Sequence, residues 1–228
     1  MQDPCPVPSP GGWTPVNFNP TYTPLGPLVS GNGVWIAPGK FDSDADIDAV
    51  LTKVDLSGTP FFPNFYINDS SGGLAPTFTE AEVIPLFPAG ACLFGDDLAQ
   101  IEAADVNADG LDDVIVCCNG SVLLFLNTGG SFATTGTILF DLPGGGFVTN
   151  MDLVDFDGDT LVDVVISHDE TIRWVQNLGV GVFSAPLGVG SPNSNHYGCT
   201  ADLDNDGDLD VIAYTSTGSG GVLLQVRS

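Results

Sequence analysis

Basic residues are scarce in this chain, which has four lysines and arginines against 29 aspartates and glutamates and a formal net charge of −25. A protein that binds nucleic acid needs positive charge to neutralise phosphates, and this chain offers almost none. The same shortage disfavours binding to anionic membrane surfaces. We therefore expect no nucleic-acid partner and no membrane insertion.

Long apolar runs are also absent. The apolar runs are short, and glycine (29 residues), proline (17 residues), asparagine and aspartate bound them. No run approaches the roughly 18 residues of a membrane-spanning helix, and none keeps a helical period over a dozen positions. Because 43% of the residues are hydrophobic, the chain can bury a core. Short apolar runs between turn residues predict an all-β protein.

Cysteine is sparse and lacks metal-binding spacing. The five cysteines form no CxxC pair, which disfavours zinc and thioredoxin-type chemistry. An odd number leaves one thiol unpaired, and we expect one or two disulfides in an oxidising compartment. The start, MQDPCPVPSP, is typical of a mature secreted N-terminus behind an added Met. We predict a secreted or cell-surface protein; the pairing is left open among Cys5, Cys92, Cys117, Cys118 and Cys199.

Acidic residues, by contrast, are concentrated in loops with a regular pattern. Three segments place side-chain oxygens at positions one, three, five and nine and then continue into apolar residues. The sets are Asp105, Asn107, Asp109 and Asp113; Asp155, Asp157, Asp159 and Asp163; and Asp202, Asp204, Asp206 and Asp210. Such close carboxylates repel one another, and a cation with six to eight oxygen ligands turns that repulsion into attraction. The pattern predicts three calcium sites.

A fourth, degraded copy precedes these three. GKFDSDADIDAVL (39–51) aligns with the last loop, with Lys40 at position one and Ala45 in place of the turn glycine. The Lys40 ammonium could neutralise the remaining acids in place of an ion, so a fourth calcium site is doubtful. Its acids are Asp42, Asp44, Asp46 and Asp48.

The similarity between copies extends past the loops. Each loop is followed by a strand, a turn and a second strand, and the second and third copies then continue into a glycine-rich hairpin that ends in an aromatic residue. Repeats of this length and content are typical of four-stranded propeller blades. We predict blades at roughly 31–88, 92–142, 146–190 and 196–228, with an insertion in 70–98 whose TEAEVI portion could be helical.

The two ends of the chain complement each other. The last copy stops before its hairpin and final strand, whereas PGGWTPVNF (10–18) resembles the missing part. We therefore expect residues 1–30 to form an N-terminal segment in which 10–28 completes the last blade of a 31–228 propeller. A fragment or an oligomeric half of a larger propeller is the alternative.

These loops and the N-x-G-x-G-x-F hairpins resemble the FG-GAP/VCBS repeat family of β-propellers, which is related to the integrin α-chain head. The resemblance covers about 31–228. It implies that the loop between the first two strands of a blade holds one calcium, and that a backbone carbonyl at position seven adds a ligand. Those carbonyls belong to Leu111, Leu161 and Asp208. Thr160 replaces the turn glycine of the middle loop.

Two other interpretations of the loops are weaker. An EF-hand needs an acid at position twelve, where this chain has Val116, Ile166 and Ala213. Acid-rich turns without a metal do not account for three regular copies. Catalytic motifs such as GxSxG, HExxH or a P-loop are absent from the sequence, so we expect no enzyme.

A few residues outside the loops are candidates for function. Glu102 and Asp152, three residues before two of the loops, are predicted to face a central channel, and His168 is predicted in a surface turn. A ligand surface for stacking sugars is predicted from residues outside the repeat pattern: Trp13, Trp35, His196 and Tyr197. We expect a binding or adhesion module for a glycan or an extracellular protein, with oligomerisation possible; a polysaccharide lyase and a purely structural module are the alternatives.

Overall fold

The structure is a computed structural model of the 228-residue chain. It describes residues 36–52, 63–68, 78–83, 98–118, 121–141, 148–168, 171–189, 196–215 and 221–225. Contacts divide the chain into two compact units, Met1–Ser30 and Gly31–Ser228. All described residues belong to the second unit, so the N-terminal segment and its predicted closing strand lie outside them.

The described residues form four antiparallel sheets and no helix. Sheet 1 contains β1 (Ile36–Gly39), β2 (Asp48–Thr52), β3 (Pro63–Asn68) and β4 (Phe78–Val83). Sheet 2 contains β5 (Leu98–Ala104), β6 (Asp113–Cys118), β7 (Ser121–Phe125) and β8 (Thr137–Asp141). Sheet 3 contains β9 (Val148–Val154), β10 (Asp163–His168), β11 (Thr171–Val175) and β12 (Leu187–Gly188). Sheet 4 contains β13 (His196–Ala201), β14 (Asp210–Thr215) and β15 (Gly221–Gln225). Each sheet follows chain order, which confirms the predicted all-β, blade-like repeats.

Equivalent residues of the copies occupy equivalent places in the sheets. In sheets 1, 2 and 3 the second strand pairs with the third at Val50–Phe65, Ile115–Leu124 and Val165–Trp174. The second strands of sheets 2 and 3 are buried along the length that is described, because each lies inside its sheet and faces apolar clusters shared with the sheets on both sides. Runs of β-branched residues suit such doubly covered strands.

Successive sheets pack against each other through separate apolar clusters. Phe41, Val50 and Ala37 of the sheet 1 segment meet Ile101 and Leu123 of sheet 2. A second cluster joins sheets 2 and 3, and a third joins sheets 3 and 4. The first strands β1, β5, β9 and β13 adjoin in that order. This face-to-face arrangement of similar sheets is propeller-like.

Residues 79–84 (TEAEVI) correct one expectation. They were expected to lie in an insertion with helical character, but Phe78–Val83 is β4, the fourth strand of sheet 1. It pairs with β3 from Asn64–Val83 to Asn68–Phe78. The helical propensity of two glutamates and an alanine is small, and pairing with the free edge of β3 outweighs it.

Two further expectations concern membranes and disulfides. None of the described residues form a helix long and apolar enough to cross a membrane. Cys117 and Cys199 are free thiols, the first buried and the second exposed. Burial raises the pKa of the Cys117 thiol, and its Sγ lies 3.3 Å from the Met151 Sδ of the next sheet. A disulfide among the other three cysteines stays a prediction.

Candidate metal centres

Four acidic loops join the first and second strands of the four sheets. We name them L1 (residues 40–48), L2 (105–113), L3 (155–163) and L4 (202–210). The strand bounds place every loop at the same connection of its sheet. The predicted repeat of loop and strand is therefore present in the structure.

The backbones of L2, L3 and L4 share two left-handed residues, at positions four and six. These are Ala108 and Gly110, Gly158 and Thr160, and Asn205 and Gly207, with φ between 60° and 98°. Thr160 (φ 75°) therefore adopts the conformation of the glycines that it replaces. A left-handed threonine is uncommon and costs energy, so the loop geometry is imposed by its surroundings. Sequence reasoning identified position six and missed position four.

Carboxylates at odd positions hold each loop in shape by accepting backbone N–H groups. The first-position acid accepts the N–H of position six: Gly110 to Asp105 at 2.8 Å, Thr160 to Asp155 at 2.9 Å and Gly207 to Asp202 at 3.2 Å. The fifth-position acid accepts the N–H of position seven, as in Leu161 to Asp159 at 2.9 Å. These bonds turn the loop around a small space that its side-chain oxygens line.

The donor atoms in L3 and L4 are close enough to share one cation. Oxygens of Asp155, Asp157 and Asp159 lie within 4.8 Å of one another, as do those of Asp202, Asp204 and Asp210. Two ligands on opposite sides of a calcium ion are about 4.6 to 5.2 Å apart, since each Ca–O distance is about 2.3 to 2.6 Å. An all-oxygen set of this spacing fits calcium.

The ninth-position acids do more than line the loops, because both of their oxygens accept backbone N–H groups. Asp113 accepts Val106 N–H at 3.2 Å and Asn127 N–H at 2.7 Å. Asp163 repeats these bonds with Phe156 and Asn177 at the same distances. Both acids are 0% exposed. Asp113 and Asp163 therefore tie their loops to the ends of the third strands of the same sheets.

The family comparison fits this repeat. The model of the FG-GAP-like repeat matches residues 105–166 and 155–213, which together contain L2, L3 and L4. Residues 105–213 carry FG-GAP-like repeats. The resemblance inferred from the sequence is thereby confirmed over these residues, whereas no curated protein matches the chain.

Solved structures with the same fold include a lectin of Agrocybe aegerita, described for its recognition of non-reducing terminal N-acetylglucosamine. The match has a TM-score of 0.56 at 19% identity and covers 84% of this chain. This chain spans about half, 52%, of that lectin's length. The Tc holotoxin pore of Photorhabdus luminescens also matches, with a TM-score of 0.47 at 18% identity, over 74% of this chain and 8% of that one.

L1 departs from L2, L3 and L4 in its backbone. Ser43 and Ala45 stand at positions four and six, and neither has the positive φ of its counterparts. The Lys40 side chain at position one has no oxygen that could accept the position-six N–H. Lys40 instead meets the next sheet through its backbone, donating to Asp112 Oδ2 at 2.7 Å and accepting Asp112 N–H at 2.8 Å. The ninth acid, Asp48, keeps its role, accepting Phe41 and Asn68 N–H, and Asp42 and Asp44 keep their bonds to N–H groups two residues on.

The two acids predicted to face a central channel are engaged in bonds within and between the first strands. Asp152 accepts the Asn150 amide at 2.7 Å and, from the next sheet, Thr200 N–H at 2.7 Å. Glu102 accepts the Gln100 amide at 2.8 Å. Gln100 also exchanges two hydrogen bonds with the Met151 backbone of the next sheet. These polar groups therefore join successive first strands.

Other predicted residues are placed in part. Trp13 and Trp35 lie outside the described residues, and His196 and Tyr197 lie in β13 with only their backbone described. Trp174 is half-buried in the sheet 3–sheet 4 cluster, and its Nε1–H donates to Asp163 at 2.9 Å. The prediction of His168 in a surface turn is wrong: it ends β10, is 8% exposed and packs against Phe140. The strand extends one residue further than its polar sequence indicated.

In calcium-free solution, the protein is expected to be more stable at pH 5 than at pH 7.5. Burial raises the pKa of Asp113 from 3.8 to about 6, against the lowering effect of two backbone N–H donors. The stability from its protonation is complete below pH 3.8 and is lost as pH rises through about 6. Asp113 alone should contribute about 1.4 kcal/mol more at pH 5. Burial shifts the pKa of Asp48 and Asp163 in the same direction.

Urea unfolding in EDTA at the two pH values measures this difference. The control is the same pair of curves in 10 mM calcium, where a bound cation requires ionised ligands, so that the advantage of pH 5 should shrink or reverse. A midpoint in EDTA that is higher at pH 7.5 would contradict the prediction.

Proposed function

We propose that this chain is a secreted or cell-surface binding module that calcium stabilises and whose ligand is a glycan. Its main support is the oxygen cluster in the FG-GAP-like loops, where three acids in L3 and three in L4 converge within 4.8 Å. Charge supports it too: L1 to L4 contain 17 of the 29 acidic residues of the chain. Bound cations would cancel much of that local repulsion.

The residues of L2, L3 and L4 would hold the ion through side chains at positions one, three, five and nine. A bound calcium supplies a multivalent positive charge that cross-links these oxygens. The loop already has its shape from Asx-type bonds such as Leu111 N–H to Asp109 at 2.9 Å. The side chain at position three and the exposed acid at position five are the adjustable ligands, and the buried ninth acid holds the end of the loop in place. Sites of this kind in extracellular modules have dissociation constants of about 10⁻⁴ to 10⁻³ M.

L1 is proposed to hold calcium weakly or not at all. Its first position is Lys40, so one carboxylate of the set is missing, and its backbone lacks the left-handed residues of the other loops. The remaining acids Asp42 and Asp44 still accept N–H groups two residues on, at 2.9 Å each. Three sites are therefore proposed, in L2, L3 and L4.

A glycan is proposed as the ligand because the same fold serves a lectin, although the fold by itself does not assign a ligand. No catalytic role is proposed. Glu102 and Asp152 lie in the first strands β5 and β9. They already accept hydrogen bonds from neighbouring side chains and backbone. An extracellular protein is the alternative ligand.

A glycan array read with 10 mM calcium and again with EDTA tests the proposal. We expect binding to a restricted group of glycans in calcium, with N-acetylglucosamine-terminated glycans as the first probes, and at least tenfold less signal in EDTA. The variant Asp157→Asn, at an exposed ligand position, should weaken binding, whereas the control Asp141→Asn, an exposed acid at the end of β8, should not. No glycan signal in calcium would remove the glycan part of the proposal.

A further inference from the structure

Two buried asparagines connect neighbouring loops across the boundary between sheets. Asn127, after the third strand of sheet 2, donates from Nδ2 to the Phe41 carbonyl in L1 at 2.7 Å. Asn177, its counterpart in sheet 3, donates to the Val106 carbonyl in L2 at 2.8 Å. Both therefore reach the second position of the preceding loop.

Each asparagine is also bonded to the loop of its own sheet. The Asn177 N–H donates to Asp163 Oδ1 at 2.7 Å, and its amide also donates to the Val162 carbonyl at 3.1 Å. Asn127 makes the same bonds with Asp113 and Asp112. A continuous hydrogen-bonded path therefore runs from Asp113 through Val106 and Asn177 to Asp163, one ninth-position acid to the next.

These bonds are difficult to break in the folded protein. Asn177 is 0% exposed and Asn127 is 2% exposed, and a buried amide that loses its partner keeps the cost of its desolvation. Asn177 Oδ1 is also occupied, accepting Gly179 N–H at 2.9 Å. A movement of Val106 in L2 must then displace Asn177, and with it the glycine-rich hairpin that follows Asn177 and the ninth acid of L3, Asp163.

We propose that cation binding in L2 raises the affinity of L3 through Asn177, which acts as a positioning residue. The inference rests on the proposed calcium binding. An ion held by Asp105 and Asn107 fixes Val106, which lies between them. Fixing Val106 orders Asn177 and then Asp163, so the second ion meets a loop whose ordering cost is already met. Asn127 provides the same connection from L2 back to L1.

Electrostatic repulsion between two filled loops would act in the opposite direction. It lowers the affinity of the second site and weakens with salt, since the Debye length is about 8 Å at physiological ionic strength. Coupling through hydrogen bonds raises the affinity and depends little on salt. The direction in which filling L2 changes the calcium affinity of L3 therefore distinguishes hydrogen-bond coupling from electrostatic repulsion.

Trp174 offers a reporter for L3, because its indole N–H is bonded to Asp163 at 2.9 Å. The chain has three tryptophans, so Trp13→Phe with Trp35→Phe leaves Trp174 as the sole tryptophan. Titration with calcium alone, followed by Trp174 fluorescence, then gives the affinity of L3. Calorimetry on the same samples counts the bound ions.

The decisive comparison disables L2 by Asp105→Asn with Asp109→Asn. L2 contains four acids, so this variant has the same formal charge as a calcium-filled L2, and electrostatics are matched. We expect the L3 dissociation constant to rise at least about fivefold, the lower end of typical coupling. In the Asn177→Ala background, the same two L2 substitutions should leave the L3 dissociation constant unchanged. In the matched control Asn127→Ala, whose cross-sheet bond leads to L1, the fivefold effect should persist.

Failure of this inference and failure of the proposed function give different results. If calorimetry detects calcium binding but the L3 dissociation constant does not change when L2 is disabled, the coupling is overturned and calcium binding stands. An effect that persists in Asn177→Ala overturns the role of Asn177. No heat and no fluorescence change overturn calcium binding itself. If Asn177→Ala does not fold, Asn177→Ser replaces it, and the comparison of wild type with disabled L2 still tests the coupling.

Discussion

Replacing Asp163 by alanine is expected to destabilise the protein by about 3 to 6 kcal/mol, with or without calcium. Its carboxylate accepts three donors: Phe156 N–H at 3.2 Å, Asn177 N–H at 2.7 Å and the Trp174 indole N–H at 2.9 Å. The site is 0% exposed, so alanine leaves these donors without an acceptor. Each such loss costs about 1 to 3 kcal/mol, and burial of the carboxylate, which raises its pKa, offsets part of the total.

Asp159→Ala is the matched control in the same loop. Asp159 is exposed and accepts only bonds within L3, such as Leu161 N–H. In EDTA, its removal should change stability by about 0.5 kcal/mol or less, the usual range for exposed sites. In calcium, it should lose the increment that the ion adds at L3. Urea unfolding of both variants in EDTA and in calcium measures all four values. A destabilisation in EDTA that is equal for the two variants would contradict the division of roles.

The repeat made most of the fold predictable from the sequence. Aligning the loops on Asp48, Asp113, Asp163 and Asp210 placed every second strand correctly, because the acid begins that strand in each sheet. In the structure Trp174 pairs with Val165, at the register position that Leu124 and Phe65 hold in sheets 2 and 1. Because all copies of a repeat must adopt the same secondary structure, an ambiguous segment in one copy is assigned from the others.

The parts that were missed depend on contacts between copies. Asn127 and Asn177 follow the third strands of their sheets, and their donation to Phe41 and Val106 depends on how neighbouring sheets pack. The strand Phe78–Val83 had no counterpart pattern, and only the open edge of β3 explains it. Likewise, the ninth acids were interpreted as ligands alone. Their second role requires the N–H of an asparagine fourteen residues on in L2 and L3, a distance at which sequence patterns are weak.

Calcium removal is expected to lower the melting temperature by about 16 °C or more relative to 10 mM calcium. A ligand at one hundred times its dissociation constant adds about 2.7 kcal/mol per site. Three loops of extracellular-type affinity, about 10⁻⁴ M, then give about 8 kcal/mol in total. For a chain of this size, each kcal/mol moves the melting temperature by about 2 to 4 °C. Thermal unfolding in EDTA and in calcium measures the shift.

The charge of the chain requires a control, because any salt would screen a net charge of −25. Magnesium at the same concentration screens equally, but it demands octahedral geometry and releases its waters reluctantly. It should therefore reproduce only a small part of the shift. A combined Asp109→Asn, Asp159→Asn and Asp206→Asn variant removes one exposed acid from each of the three loops and should respond to calcium hardly more than to magnesium. Equal shifts with calcium and magnesium in the wild-type chain would show that screening, and not binding in the loops, stabilises the fold.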